Sequence, residues 1–340
     1  MKQLLFLLMF LCSTHMLPFS ITGKPVAVVY TPNSILEHKE KYQPFCIAGK
    51  TRYATCTGAA WFHKNYLAVL NLYGRKIITY KFDPDAQRFS IVQELGSEAQ
   101  LPENMTVSPD GTLLAICSDC PTAGTQFYAI DQNSHLIQAT PIFSLPAYAL
   151  VHNIRFTSDG IYFATAGWDA QQSVCIYKLT RHEKNVSAQL VHSIKNTTAI
   201  KAKGVHFTKD SRFLVVCYSS PVMQTHQSAP YTVLLASYKF DPLTGTIGEP
   251  VSRQQCGGCT EDLAFLNNDH EIMLSDQGND RLIRYPFDPA TGHIGDTHTF
   301  LQGLETQLSF PHGIGIAPSE DYFVVCNYGD DKFNLYRIDH

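Results

Sequence analysis

Several signatures that would assign a chemistry outright are missing from this sequence. No G-x-S-x-G elbow, P-loop or H-E-x-x-H occurs among its 340 residues, so a serine hydrolase, a nucleotide-binding enzyme and a zincin have no local support. Neither of the two C-x-x-C pairs, Cys117/Cys120 and Cys256/Cys259, is followed by His. That excludes c-type haem attachment, and no βαβ pattern surrounds either pair to make it a thioredoxin-like redox motif. Basic residues are not gathered either. The 26 Lys and Arg are scattered against 30 Asp and Glu for a net charge of −4, which leaves no footprint for a phosphate backbone and argues against a nucleic-acid partner. Past the N-terminus no run is long and apolar enough for a transmembrane helix, and no linker divides the chain.

The N-terminus sets the expected compartment. Lys2 precedes an apolar run over 4–11, followed by smaller and polar residues, which is the layout of a secretory signal. Residues 1–23 are assigned to that signal, with cleavage between Ser13 and Gly23, and 24–340 to one domain. Bulky Leu11 ahead of Cys12 does not fit lipoprotein processing. A secreted or periplasmic location follows, and an oxidising compartment makes local disulfides within the two C-x-x-C pairs the expectation. Cys217 and Cys326 share with Cys117 one slot at the end of a strand, where Ala166 stands in another repeat, and read as small buried residues. Asn-x-Ser/Thr sequons occur at Asn104, Asn185 and Asn196.

What the chain has in place of a motif is a repeat. Six times an apolar run enters a tight polar turn and leaves as a second apolar run, at 61–65, 107–111, 156–160, 207–211, 265–269 and 316–320, a period of 46 to 58 residues. Strands rich in β-branched and aromatic residues follow at 113–117, 162–166, 213–217 and 322–326. The pattern predicts an all-β β-propeller of six blades. An N-terminal strand, from 26–30 or 43–48, is expected to pair with the last blade and remove the open edge, the alternative being seven blades if that segment builds a small one. Short turns at 82–84, 240–245 and 287–292 mark one face of the disc. The other carries connections of variable length, 218–231 being the longest.

In a common register, the inner strands begin with Thr57, Glu103, His152, Lys203, Glu261 and His312, followed by Gly58, Asn104, Asn153, Gly204, Asp262 and Gly313. Two places on, the register becomes Ala59, Met105, Ile154, Val205, Leu263 and Ile314, which is core. Polarity is thus confined to the mouth of the central channel. Such a ring suits a divalent metal held by imidazole and carboxylate, or an acid and a base exchanging protons near neutrality as Glu103 with His152 or Glu261 with His312. The competing reading is that a water-filled mouth needs polar residues only for solvation.

The segment 261–283 followed by Phe287-Asp288-Pro289-Ala290-Thr291-Gly292, and Pro311-His312-Gly313-Ile314 through 327–338, resemble repeats of the lactonase-type β-propellers related to 6-phosphogluconolactonase and muconate-cycloisomerising enzymes. The resemblance implies a channel histidine at His152, an arginine where Lys203 stands, an acidic residue at Asp262, a histidine where Asn104 stands and arginines where His312 and Gln277 stand. Tyr218-Ser219 replaces an Asn-Glu pair, and members are usually seven-bladed. Arg presents a bidentate fork that Gln does not replace, so a phosphorylated sugar lactone is disfavoured as substrate.

Two functional expectations result. The first is an exported, monomeric propeller that binds a small-molecule or protein ligand at its channel-mouth face without turnover, through 218–231 and through Asn104, Asn153, Glu261, Asp262 and Gln277. The alternative is hydrolysis of a sugar-type lactone, in which His152 activates water, Lys203 and His312 stabilise the oxyanion, and Glu103 or Glu261 orients a base or a divalent metal.

Overall fold

The structure, a computed structural model, describes residues 20–32, 45–47, 50–52, 56–120, 124–146, 150–169, 172–182, 185–195, 201–219, 233–256, 259–296 and 298–340. Six antiparallel sheets succeed one another along the chain. Their inner strands are Cys56–Phe62, Pro102–Val107, Val151–Phe156, Lys201–Phe207, Thr260–Leu266 and Pro311–Ile316. Each inner strand lies against the next, and the sixth lies against the first, so the ring is closed as a six-bladed propeller.

Closure is made by the N-terminal segment. Ser20–Ile21 and Ala27–Tyr30 both pair antiparallel with Lys332–Asp339, the third strand of blade 6, with Ile21 opposite Ile338 and Val28 opposite Asn334. The expected closing strand is therefore found over 27–30. The candidate at 43–48 lies partly outside the described residues. Its described part, Phe45–Ile47, pairs only with Lys50–Arg52, a two-stranded hairpin and no seventh blade.

The repeated turns have a local cause. In blades 2 to 4 a Ser or Thr hydroxyl donates to the Asp two residues on: Ser108 to Asp110 at 2.6 Å, Thr157 to Asp159 at 2.6 Å and Thr208 to Asp210 at 2.8 Å. The next residue, Gly111, Gly160 or Ser211, then takes a positive φ. The hairpins of the opposite face use another device. Asp83, Asp241 and Asp288 accept backbone N–H bonds from Ala86, Leu243 and Ala290 at 2.9 to 3.1 Å, closing side-chain turns.

Instead of one central core, the molecule has six apolar layers, one in each seam between neighbouring blades. The seam between blades 6 and 1 packs Trp61, Tyr80, Val324 and Phe333 with Val26 and Val29 of the closing strand. Fully burying such a side chain is worth about 1.5–3 kcal/mol, so each seam contributes to keeping the ring shut.

Two sequence expectations are corrected. Cys117 is not bonded to Cys120, nor Cys256 to Cys259. Cys117 is wholly buried and its thiol donates to the Asn104 carbonyl at 3.2 Å, so it is occupied within its own blade. Asn104 itself is fully buried inside a strand, which removes it as a glycosylation acceptor. Cys217 and Cys326 are buried thiols, as expected.

Candidate active site at the channel mouth

Every blade carries the same irregularity. Two residues of the inner strand stand opposite one residue of the second strand at Thr57-Gly58, Glu103-Asn104, His152-Asn153, Lys203-Gly204, Glu261-Asp262 and His312-Gly313. These are β-bulges, which bend a strand and re-aim a side chain. The polar ring read from the sequence is this ring of bulges. Facing them are Leu70, Cys117, Ala166, Cys217, Ser275 and Cys326, mostly small residues, and some satisfy the displaced backbone. Ser275 accepts from the Asp262 N–H at 2.9 Å and donates to the Asp262 carbonyl at 3.2 Å.

Five of the six leading bulge residues converge into one buried cluster. Glu261 Oε2 lies 2.9 Å from Lys203 Nζ and 3.0 Å from His152 Nε2, while the Cys259 thiol donates to its Oε1 at 3.3 Å. Lys203 Nζ is also 3.0 Å from His152 Nε2. On the other side His312 Nε2 approaches Glu103 Oε2 at 3.3 Å, and its Nδ1 lies 2.9 Å from the Thr57 carbonyl. The two imidazoles are 5.3 Å apart. All five side chains are buried, and His152 Nδ1 has no hydrogen-bond partner among the described residues.

The electrostatics follow from this pairing. Burial alone would push both carboxyls up, but Lys203 and His152 hold Glu261 well below the usual carboxylate range, and His312 and His152 hold Glu103 below it. Burial would lower His312, yet its bond to Glu103 and the field of Glu261 raise it. Burial opposes a charged Lys203 as well, and the field of Glu261, ahead of Cys259 and Asp119, raises it. Two carboxylates thus face one ammonium and one imidazole whose charged form they favour.

Above the cluster sits a rim that sequence reasoning did not assemble. It consists of the residue just beyond the second strand in four of the blades: Asp119, Trp168, Gln277 and Tyr328. A shared backbone bond fixes them, from their N–H groups to Leu101, Leu150, Cys259 and Phe310 carbonyls at 2.7 to 3.1 Å. Tyr328 stacks on His312 at 5.0 Å, and Lys203 Nζ lies 4.7 Å from the Trp168 ring. Burial, reinforced by Glu103, raises Asp119. Gln277 is among the binding residues expected from the sequence, whereas Trp168 is not. The signal that would have found it is the register of the second strand.

Beneath the cluster the channel is plugged. Asp262 accepts from Asn153 Nδ2 at 2.7 Å, from Arg155 at 2.9 and 3.1 Å, and from the backbone N–H groups of Leu263 and Ile314 at 2.8 and 2.9 Å. Arg155 also donates to the Met105 and Ile154 carbonyls. The structure therefore places Asn153 and Asp262 in a cross-channel tie, and Asn104, whose Oδ1 accepts from the Met105 N–H at 2.8 Å, beside it. Past this layer a cavity of about 150 Å³ opens among Trp61, Met105, Arg155, His206 and Ile316. Most of the 218–231 connection lies outside the described residues; Tyr218 and Ser219 are described, and both are buried.

Comparison with solved structures agrees with this architecture. A periplasmic gluconolactonase of Pseudomonas aeruginosa is similar over 72% of this chain and 85% of its own, with 16% identity and a TM-score of 0.51. The two share a β-propeller fold. A protein of Bacteroides uniformis, whose assignment as a 6-phosphogluconolactonase is provisional, matches over 72% of this chain and 71% of its own at 12% identity and a TM-score of 0.55. Hydrazine synthase of Kuenenia stuttgartiensis matches over 83% of both chains at 11% identity and the same TM-score of 0.55, so the scaffold is shared across unrelated chemistries. No protein-family profile and no curated protein sequence matches the chain.

Proposed function

We propose that this protein is exported and binds an uncharged, hydroxyl-rich ligand of the sugar-lactone type at the channel mouth, without turning it over. One observation carries the reading: the charged groups of the mouth are already spent on one another. Lys203 is held by Glu261 and His152, and His312 by Glu103 and the Thr57 carbonyl. An anionic phosphate would meet two carboxylates and no uncommitted cation within the cluster, and Arg155 is tied to Asp262 below it. A neutral polyol instead finds the indole N–H of Trp168, which has no hydrogen-bond partner among the described residues, and an aromatic rim. Export rests on the apolar run that follows Lys2.

Hydrolysis of the lactone is the second reading. It is favoured by Glu103 and His152, 3.9 Å apart beside Lys203 and His312, which together can take a proton from water. Calorimetric titration with gluconolactone, 6-phosphogluconolactone and the corresponding free sugars, run beside a pH-stat assay, separates the two. Binding of the neutral compounds, weakened about tenfold or more in Trp168→Ala and without proton release, supports the first reading. Proton release that disappears in His152→Ala establishes the second. Preference for the phosphorylated compound sinks both the neutral-ligand argument and the charge balance behind it. N-terminal sequencing of the secreted form tests export.

A further inference from the structure

We infer that Glu103, His152 and His312 form a site for one divalent transition-metal ion, with Zn²⁺ the best fit to the donor set. One ligand atom from each residue can be chosen so that all three lie within 4.8 Å of one another, and all three residues are buried. A tetrahedral ion with bonds of roughly 2.0–2.2 Å keeps its donors roughly 3.3–3.6 Å apart. Of the separations at hand, His312 Nε2 to Glu103 Oε2 is 3.3 Å and His152 Nε2 to Glu103 Oε2 is 3.9 Å. Small side-chain rotations bring the second into range, and the bulges place these residues on three separate blades.

Two further features point to a ligand. The Nδ1 of His312 lies 2.9 Å from the Thr57 carbonyl, which can only accept, so Nδ1 carries a proton and Nε2 faces the channel as the donor position. Imidazole oriented by a backbone carbonyl is the usual arrangement behind a bound metal. Glu103 Oε2, on a residue 6% exposed, is approached by both imidazoles, at 3.3 and 3.9 Å, so the three donor atoms already converge in a buried place. Two nitrogen donors and one oxygen exclude Ca²⁺ and Mg²⁺, which take oxygen ligands. Lys203 is the opposing charge. On metal entry it gives up its 3.0 Å contact with His152 Nε2 and keeps its 2.9 Å pair with Glu261, which compensates part of the added charge. A fourth coordination position remains for a ligand atom. The inference does not depend on whether that ligand is turned over.

The test uses the full mature chain after chelator dialysis. Co²⁺ titration followed by visible absorption, and Zn²⁺ titration followed by calorimetry, should each saturate at one equivalent, with Zn²⁺ displacing the cobalt spectrum. Glu103→Gln, His152→Asn and His312→Asn should each weaken binding about 100-fold or more. Circular dichroism identifies any variant that fails to fold, and the intensity of the wild-type cobalt bands reports coordination geometry without a variant. Absence of saturable binding overturns the inference, and so does one-equivalent binding that survives in folded Glu103→Gln and His312→Asn proteins.

Discussion

Glu103 and Glu261 face each other across the channel from opposite blades, and each lies within reach of both histidines, at 3.3 and 3.9 Å for Glu103 and at 3.0 and 3.8 Å for Glu261. Only an even ring with the two glutamates three blades apart produces that relation. The mouth is therefore held together across its diameter as well as around its circumference, and several consequences can be measured.

Lys203 and Glu261 are 6% and 1% exposed and pair at 2.9 Å. Removing one partner leaves the other charge buried and uncompensated. Lys203→Met should destabilise the fold by about 3–5 kcal/mol in chemical denaturation, and Lys203→Met combined with Glu261→Gln should recover much of the loss. A single-variant loss under about 1 kcal/mol would show that water reaches the pair and screens it.

The tie between Arg155 and Asp262 predicts energetic coupling across the channel. In a double-mutant cycle with Arg155→Met and Asp262→Asn, the coupling energy should reach about 1.5–3 kcal/mol, because both groups are buried and charged and Nη2 of the guanidinium reaches both carboxylate oxygens. Additive effects would mean that Asn153 and the backbone N–H groups hold Asp262 unaided.

Gly313 is required by space. A Cβ there would stand 2.4 Å from the Thr57 carbonyl oxygen, the acceptor of the His312 ring, and 2.9 Å from the Gly58 Cα. Gly313→Ala should cost about 1–3 kcal/mol in thermal or chemical melts and shift the His312 ring signals in NMR spectra. Unchanged stability and unchanged ring shifts would refute the close approach.

His206 gives a pH dependence with a definite sign. Burial first, then the neighbouring Arg155, lowers its pKa to about 4 despite a bond to the Phe207 carbonyl and the field of Asp262. The unfolded chain titrates near 6.5, so between those values the unfolded state binds more protons and stability rises with pH. The contribution is complete above about pH 6.5 and is lost as pH falls toward 4. His206→Gln should flatten the stability curve in that window; an equal slope in both proteins would contradict the assignment.

Register explains what could be read in advance. The repeat of turn and strand revealed six blades and the polar ring, because a period-2 strand exposes its face to simple counting. Bulges break that counting, so the sequence showed which residues line the mouth but not that each is displaced toward it. The disulfide expectation failed for a related reason. Cys117 lies opposite a bulge and answers its displaced carbonyl, and Cys259 answers Glu261, roles that spacing alone does not distinguish from a bridge. Trp168 is not legible from its own sequence neighbourhood; only its position one residue past the end of Tyr162–Gly167 places it at the mouth.

Composition and periodicity by themselves determined the all-β class, the six-fold repeat, the closing N-terminal strand and the list of polar residues at the mouth, since each follows from local propensity and spacing. Only the tertiary structure decided which charges neutralise which. Glu261 meets Lys203 and His152 from blades far apart in sequence, Asp262 is consumed by Arg155 and Asn153, and Glu103 is met by His312. Those relations depend on distances of a few ångströms across a closed ring, and distance across a ring is a property that no linear pattern contains.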